Sequence, residues 1–475
     1  MRDIKARRLW TGQGGTLENA RVTLDREGLV EGIAPLEPED FPEYDFVMPA
    51  FFDAHCHLSW MVLKELSLDL STAGSAEDLL GIVWENARAG EDGIIRGDSF
   101  DESSWSDSRL PTLDQLDAVT GNRPAFLCRV CGHAALANSA MMALMEHDPK
   151  WMDRETGFLR ERPVMEFSEH FPPDREKARE AVVSVTAKIH STGVTGVCTV
   201  EKPANALDLI EAAPDLDIAW VVNGDGPSPE LPGQRMRKFF LDGSFGAGNA
   251  AVDPYSRENL LHSDDELLRG FLACAEAGEV PVIHAIGAGA LAQLQRVSAR
   301  AFDVLGRGFP VRIEHGEDLE PVWDMGWDPD FHIFSMQPNF VERWQRPGGM
   351  YDRLLPPGRS VRLNPFRLVL DGGFSLGFGS DSMPLDPIFG LRGALRHRDA
   401  LLALDTHEAL RAYTLSSAEI SGCGHLAASL APGRPGDLVC LDGDPFSDFD
   451  SVSVQRTVRR GRTVFRREEA AGEDT

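Results

Sequence analysis

Short apolar runs alternate with segments of helical spacing along most of this chain, the pattern of a parallel β/α architecture. Eight of these runs read as barrel strands: residues 47–53, 193–200, 218–223, 236–241, 280–284, 311–315, 332–337 and 374–379. Helical segments fall between them. Ser263-Asp264-Asp265-Glu266 has the spacing of a capping box, Leu267, Leu268, Phe271, Leu272 and Ala275 follow at helical intervals, and Gly278 supplies a stop. Further helices are expected at about 291–305 and 405–416. The expected fold class is α/β, a (β/α)8 TIM barrel.

Two parts of the chain depart from the alternation. Residues 58–189 separate the first two strands by far more than a crossover needs and carry their own strand signal at 124–131. They read as an insertion that folds over the barrel mouth. Residues 1–46 and 430–475 are β-patterned and turn-rich, with Gly433-Arg434-Pro435-Gly436-Asp437 leading into the apolar run 438–441. The two ends are expected to pair as one small β domain beside a barrel spanning 47–429.

Composition narrows the function. The 475 residues, 42% hydrophobic and 26% charged, suffice for a large core. A formal charge of −28 argues against nucleic acid or an anionic membrane as partner, because both need basic surface. The start, Met1-Arg2-Asp3-Ile4-Lys5, lacks the apolar run of a secretory signal and no spanning segment appears, so a cytoplasmic location is expected. Seven scattered cysteines make no disulfide framework. Cys128 and Cys131, three apart in an apparent strand, should face opposite sides, which speaks against a shared zinc or redox role.

Residues with chemistry gather where the strands end. The first run closes on Asp53-Ala54-His55-Cys56-His57, and strand alternation puts both histidines on one face, where two imidazoles can chelate a divalent metal. Lys238 lies in the fourth run, His284 and His315 end the fifth and sixth, Gln337 ends the seventh, and Asp381 follows the eighth. Each alone has an ordinary reading: a hydrogen-bonded core histidine, a helix-capping aspartate, a surface lysine. Together they put donors at the carboxyl ends of several strands, where barrel enzymes assemble their sites.

These segments, with Asp101-Glu102-Ser103-Ser104-Trp105 and Gly132-His133-Ala134-Ala135-Leu136 in the insertion, resemble the metal-dependent amidohydrolase superfamily over nearly the whole chain. The branch that includes N-substituted formamide deformylases is the most similar. The resemblance implies that His55, His57 and Asp381 hold one metal and His284 and His315 a second, with Lys238, carboxylated by carbon dioxide, bridging both. One or two Zn2+ ions are expected, with Mn or Fe as alternatives. Two departures bear on the substrate: Ala288 and Gly289 stand where the branch has an acidic and a basic residue, and Gly246-Ala247-Gly248-Asn249 where it commonly carries an arginine.

The expected function is hydrolysis of a C–N bond in a small amide, N-acyl or N-formyl compound, or cyclic imide, through a metal-activated hydroxide. Asp381 would shuttle the proton, and His133 or His315 would help stabilise the oxyanion. Asp101, Trp105, His133, Arg160 and Gln337 are the expected substrate contacts. Trp105 is equally a core anchor of the insertion, and Arg160 equally a surface ion pair. The alternatives are a deaminase of a small heterocycle, disfavoured because His284-Ala285-Ile286-Gly287 lacks a His-x-x-Glu, and a non-catalytic barrel scaffold, against which the occupied ligand positions weigh. A small-molecule substrate is the expected partner, with homo-oligomer formation left open.

Overall fold

Eight parallel strands form the central sheet of the protein's computed structural model, which describes residues 2–89, 93–132, 134–146, 148–202, 209, 211–224, 226, 234–425 and 429–468. The strands are β1 (Phe51–Cys56), β2 (Val194–Glu201), β3 (Asp217–Val222), β4 (Met236–Phe240), β5 (Val280–Ala285), β6 (Val311–His315), β7 (His332–Met336) and β8 (Ser375–Phe378), each laddered to the next in chain order. Residues just past β8 draw the ring almost shut. The amides of Ser380 and Asp381 donate to the carbonyl of His55 at 3.1 and 2.7 Å. Gly379 permits this approach, since a Cβ there would stand 2.3 Å from the His55 backbone nitrogen. The result is a TIM barrel whose closure is made by the same residues that carry chemistry.

The apolar runs were visible because parallel strands are covered on both faces; every residue of β2 is buried. The capping box at Ser263 starts the helix Asp264–Ala277, and Gly278 ends it in the left-handed conformation at φ 66°. Two expectations need correction. The helix expected over 405–416 is two helices, Thr406–Ala412 and Leu415–Ile420, broken where Thr414 leaves helical geometry at φ −123°, ψ −98°. The strand expected over 47–53 divides between two sheets. Tyr44–Pro49 pairs outside the barrel, Ala50 donates its N–H to Asp437, and Phe51 then donates to Gly193 to begin β1.

The chain falls into two units, residues 1–58 with 186–475, and residues 59–185. In the first, a seven-stranded sheet runs Arg462–Arg466, Ser453–Arg459, Leu438–Asp442, Tyr44–Pro49, Arg2–Trp10, Thr16–Leu24 and Val30–Pro35. Both chain ends contribute to it, over a core that includes Ile4, Leu9, Val22, Leu24, Leu438 and Val458. Arg459 fastens it to the base of the barrel by an ion pair with Asp217 at 2.6 Å.

The second unit has a six-stranded sheet of Met152–Asp153, Phe158–Arg160, Ala134–Ala137, Ala125–Arg129, Ile95–Phe100 and Leu68–Asp69. Its strand Ala125–Arg129 stops short of the 124–131 expected. Cys131 therefore lies in the following turn, and strand alternation does not fix its face; both Cys128 and Cys131 are unbridged. Among the described residues no helix is long and apolar enough to cross a membrane.

Candidate metal centre

His55 sits near the end of β1, buried, with each ring nitrogen committed in a different direction. Nδ1 bonds the Glu314 carboxylate at 2.5 Å, and Nε2 lies 3.4 Å from Asp381 Oδ1. Glu314 is fully buried and pairs with the equally buried Arg312, Nε to Oε1 at 2.7 Å. Arg312 also donates to the carbonyl of Ala54 and, at 3.2 Å, to Ser335 Oγ. Burial by itself would push the Glu314 carboxyl up, but the charges of Arg312 and His55 and the histidine hydrogen bond override it and hold it well below the usual carboxylate range. Burial likewise opposes a charged His55 ring, but the charge of Glu314 and the hydrogen bonds to Asp381 and Glu314 together outweigh it, raising the His55 pKa. A carboxylate that takes one imidazole N–H fixes the tautomer and aims the other nitrogen outward, as metal-binding histidines require. Neither Arg312 nor Glu314 was singled out by sequence reasoning. Their signal was two charges, i and i+2, on one face of an otherwise apolar strand.

Asp381 faces this nitrogen from the loop after β8. Its Oδ1 is 3.0 Å from Nε2 of His57, whose own Nδ1 is 3.2 Å from the carbonyl of Val200. Burial favours the protonated acid, but the hydrogen bonds to His55 and His57 reverse this and hold Asp381 well below its ordinary pKa. Its backbone is strained: Asp381 and Ser382 lie at φ 52° and 59°, in the left-handed region that non-glycine residues avoid. Neighbours enforce it. Asn339 Nδ2 donates to the carbonyls of Ser380 and Met383, Ser382 Oγ accepts from the His57 amide, and buried Asp53 accepts from the amides of His55 and Ser380. Asp53 is a further residue that sequence reasoning passed over.

His315 ends β6 at φ 70°. That turn of the backbone lets Glu314 and His315, neighbours in sequence, both serve the centre. Nδ1 of His315 bonds Gln337 Oε1 at 2.7 Å, which leaves Nε2 unclaimed by that contact. Burial lowers the His315 pKa to about 3, so the ring is neutral. The His284 ring lies 4.5 Å from it, with Nε2 on the carbonyl of Gly243 at 3.0 Å. His284 is also held well below its ordinary value, first by burial and then by His315 and Lys238. Neutral imidazoles are the form that ligates metal. Lys238 is buried on β4, and burial pushes its pKa down to about 8.

Ligand atoms of His55, His315 and Asp381 all lie within 4.8 Å of one another. With His57 against Asp381 and His284 against His315, this nitrogen-rich, carboxylate-bearing cluster suits a divalent ion. Gln337, expected as a substrate contact, is buried and spends its oxygen on His315, so its packing is that of a positioning residue.

The remaining expected contacts belong to the second unit. Trp105 is buried among Leu70, Leu79, Phe100 and Leu116 and donates Nε1–H to Ala73 at 2.8 Å, which is the packing of a core anchor. Asp101 caps the short turn Glu102–Ser104 and lies 3.5 Å from Arg129. Arg160 is exposed, its guanidinium 5.1 Å from the Phe158 ring centroid, at the edge of a cavity of about 460 Å³ that also carries Asp153 and Glu155. His133 lies outside the described residues.

The chain shares 24% identity over 507 residues with the putative amidohydrolase YtcJ of Bacillus subtilis (strain 168), covering 92% of this chain and 93% of that protein. It is 26% identical to an N-substituted formamide deformylase of Arthrobacter pascens, over 89% of this chain and 88% of that one. Among solved structures, an uncharacterized metal-dependent hydrolase from Pyrococcus horikoshii OT3 superposes with a TM-score of 0.71 at 25% identity, over 94% of this chain and 98% of the other. The model of the Amidohydrolase family matches residues 45–465, from ahead of β1 into the last strand of the terminal sheet, and the chain belongs to that family.

Proposed function

We propose that the barrel hydrolyses a C–N bond of a small amide, N-acyl or N-formyl compound, or cyclic imide, at a divalent centre held by His55, His57, His284, His315, Asp381 and a carboxylated Lys238. The observation that carries this reading is the convergence of the His55, His315 and Asp381 donor atoms within 4.8 Å, with neutral His284 beside them. A divalent ion there would polarise the carbonyl and lower the pKa of water from about 15.7 towards about 7. Zinc is an ion that imidazole and carboxylate donors commonly hold, with manganese and iron as alternatives.

The chain's own residues do the rest. Asp381, kept ionised by its histidine contacts, accepts the proton of the attacking water and returns it to the leaving nitrogen. Glu314 and Gln337 hold His55 and His315 in the tautomers that aim the far nitrogens inward. Lys238, its pKa near 8, keeps a neutral fraction near neutrality, the form that adds carbon dioxide; the carbamate then offers an anionic oxygen where an ammonium offers none.

The test is a panel of formamides, N-acyl amino acids, hydantoins and lactams, run on protein loaded with zinc, manganese or iron plus bicarbonate. A new carboxylate with its partner amine, abolished by chelation, is the expected result. Ammonia from aminated heterocycles without any new carboxylate would replace hydrolysis of amides with deamination.

A further inference from the structure

Each histidine of the centre has one ring nitrogen held from outside. Glu314 holds Nδ1 of His55, the Val200 carbonyl holds Nδ1 of His57, and Gln337 holds Nδ1 of His315. His284 is turned the other way. Its Nε2 lies on the Gly243 carbonyl at 3.0 Å, and a carbonyl oxygen can only accept. A neutral His284 ring therefore carries its proton on Nε2 and its lone pair on Nδ1. The two backbone carbonyls differ in what fixes them. Val200 is inside β2, laddered to β3. Gly243 lies past the end of β4, and its carbonyl is as steady as the loop that carries it.

Asp242 anchors the ends of that loop, accepting the amide of Ala251 at 3.0 Å and those of Ile286 and Gly287 after β5. Between the anchors Asn249 closes the turn. Its carbonyl accepts the Gly243 amide at 3.2 Å, its amide donates to the Ser244 carbonyl at 3.2 Å, and its Oδ1 accepts the Ser244 amide at 2.9 Å. The last bond matters most, because the Ser244 N–H and the Gly243 C=O belong to one planar peptide unit. Asn249 Oδ1 takes one end of that unit and His284 Nε2–H takes the other. A rotation of the peptide plane that withdrew the carbonyl from His284 would break the bond to Asn249 as well. Gly243 makes the contact possible, since a Cβ there would stand 2.0 Å from Asn249 Oδ1. Gly246, Ala247 and Gly248 have no polar side chain that could take its place.

We propose that Asn249 is a positioning residue of the centre: through the Gly243–Ser244 peptide it holds His284 with Nε2 protonated and keeps Nδ1 for a divalent ion. This rests on the reading of a divalent centre that includes His284. It extends the set of outer partners, Glu314, Gln337 and Val200, to a side chain one peptide removed from its histidine.

Asn249→Leu keeps the size of the side chain and removes the acceptor, whereas Asn249→Asp keeps an acceptor oxygen. If Asn249→Leu does not fold, Asn249→Ala is read in its place. The first readout needs no metal: nitrogen NMR of isotope-labelled histidine rings in the metal-free full chain, with the His284 signal assigned by its loss in His284→Ala. The parent and Asn249→Asp should show His284 protonated on Nε2, and Asn249→Leu a mixture of both tautomers. The second readout is zinc affinity in bicarbonate, by competition with a chelator. Asn249→Leu should weaken by at least about tenfold the ion that His284→Ala weakens, and Asn249→Asp should stay within about threefold of the parent. Added to His284→Ala, Asn249→Leu should change affinity by no more than about twofold, because both act through one ring.

A role in folding alone would lower the melting temperature, leave the tautomer as in the parent and add to the loss in His284→Ala. That pattern, or an unchanged His284 tautomer in Asn249→Leu, would overturn the proposal. Where the parent binds zinc, affinity of Asn249→Leu within about threefold of it would overturn the proposal too. A tautomer that depends on Asn249 in a parent that binds no zinc would keep Asn249 as the holder of His284 and remove the divalent centre, and the hydrolase reading with it.

Discussion

The sheet made from the chain ends and the rim of the barrel are assembled from similar short strands, yet they treat charge in opposite ways. In the terminal sheet the interior is Ile4, Leu9, Val22, Leu24 and Leu438, and the ion pairs stay outside that core, at the margin with Arg8 and Asp444 at 2.6 Å or at the seam with the barrel, where Arg459 and Asp217 are buried together. At the rim Arg312, Glu314, His55, Lys238 and Asp381 are all buried, and His315, Asp381 and Ser382 hold backbone angles that cost roughly 1–3 kcal/mol each. Burying charge and storing strain weaken a fold. A chain keeps them where chemistry needs fixed donors, and the neighbouring sheet, free of that demand, contributes ordinary packing. Stability and activity should therefore respond separately to substitution in the two regions.

Asp381→Asn attacks the rim hardest. It should lower kcat by at least about 1000-fold through loss of the proton acceptor, with little change in the melting temperature. A kcat within tenfold of the parent would remove Asp381 from the proton path. The converse experiment is Leu9→Ala, which should cost about 3 kcal/mol of unfolding free energy by opening a cavity, with kcat unchanged within about twofold. A large fall in kcat at the working temperature, with the protein still folded, would break the separation.

His332 sharpens the comparison, because it is a buried neutral histidine at the opposite end of a barrel strand from the rim. Burial lowers its pKa to about 4, with Nδ1 accepting from the Asp328 amide. The folded value is below the ordinary 6.5, so its contribution is complete above pH 6.5 and is lost as pH falls towards 4. The parent should lose up to about 3 kcal/mol more stability across that window than His332→Gln, read from denaturant unfolding. Its kcat should not follow. Smallest is Glu314→Gln, which keeps an acceptor for His55 but removes the charge, and should weaken metal affinity or activity by about 10- to 100-fold. Metal affinity equal to that of the parent would reduce Glu314 to a partner of Arg312.

Much of the barrel was legible in the sequence because parallel strands are apolar on both faces; residues 311–315 coincide with β6, and Ser263 and Gly278 bound their helix as expected. The first strand was misjudged because hydrophobicity runs unbroken through Pro49 and Ala50, while the hydrogen bonds change sheets there. Strand alternation could not foresee that Glu314 and His315 both turn to the centre, since that depends on the left-handed backbone of His315. Gln337 was expected as a substrate contact; its bond to His315 depends on the distance between β6 and β7 side chains, which alternation along one strand does not give. Trp105 looked alike as anchor or contact until its indole N–H was seen to bond Ala73.

Metal analysis addresses the convergence of the rim donors most directly. Chain stripped with chelator, reloaded with zinc, manganese or iron in bicarbonate and exhaustively dialysed should retain one or two divalent ions, and His55→Ala should retain fewer. Retention below about 0.1 equivalents by the parent under all three ions would contradict the metal centre and the hydrolysis built on it.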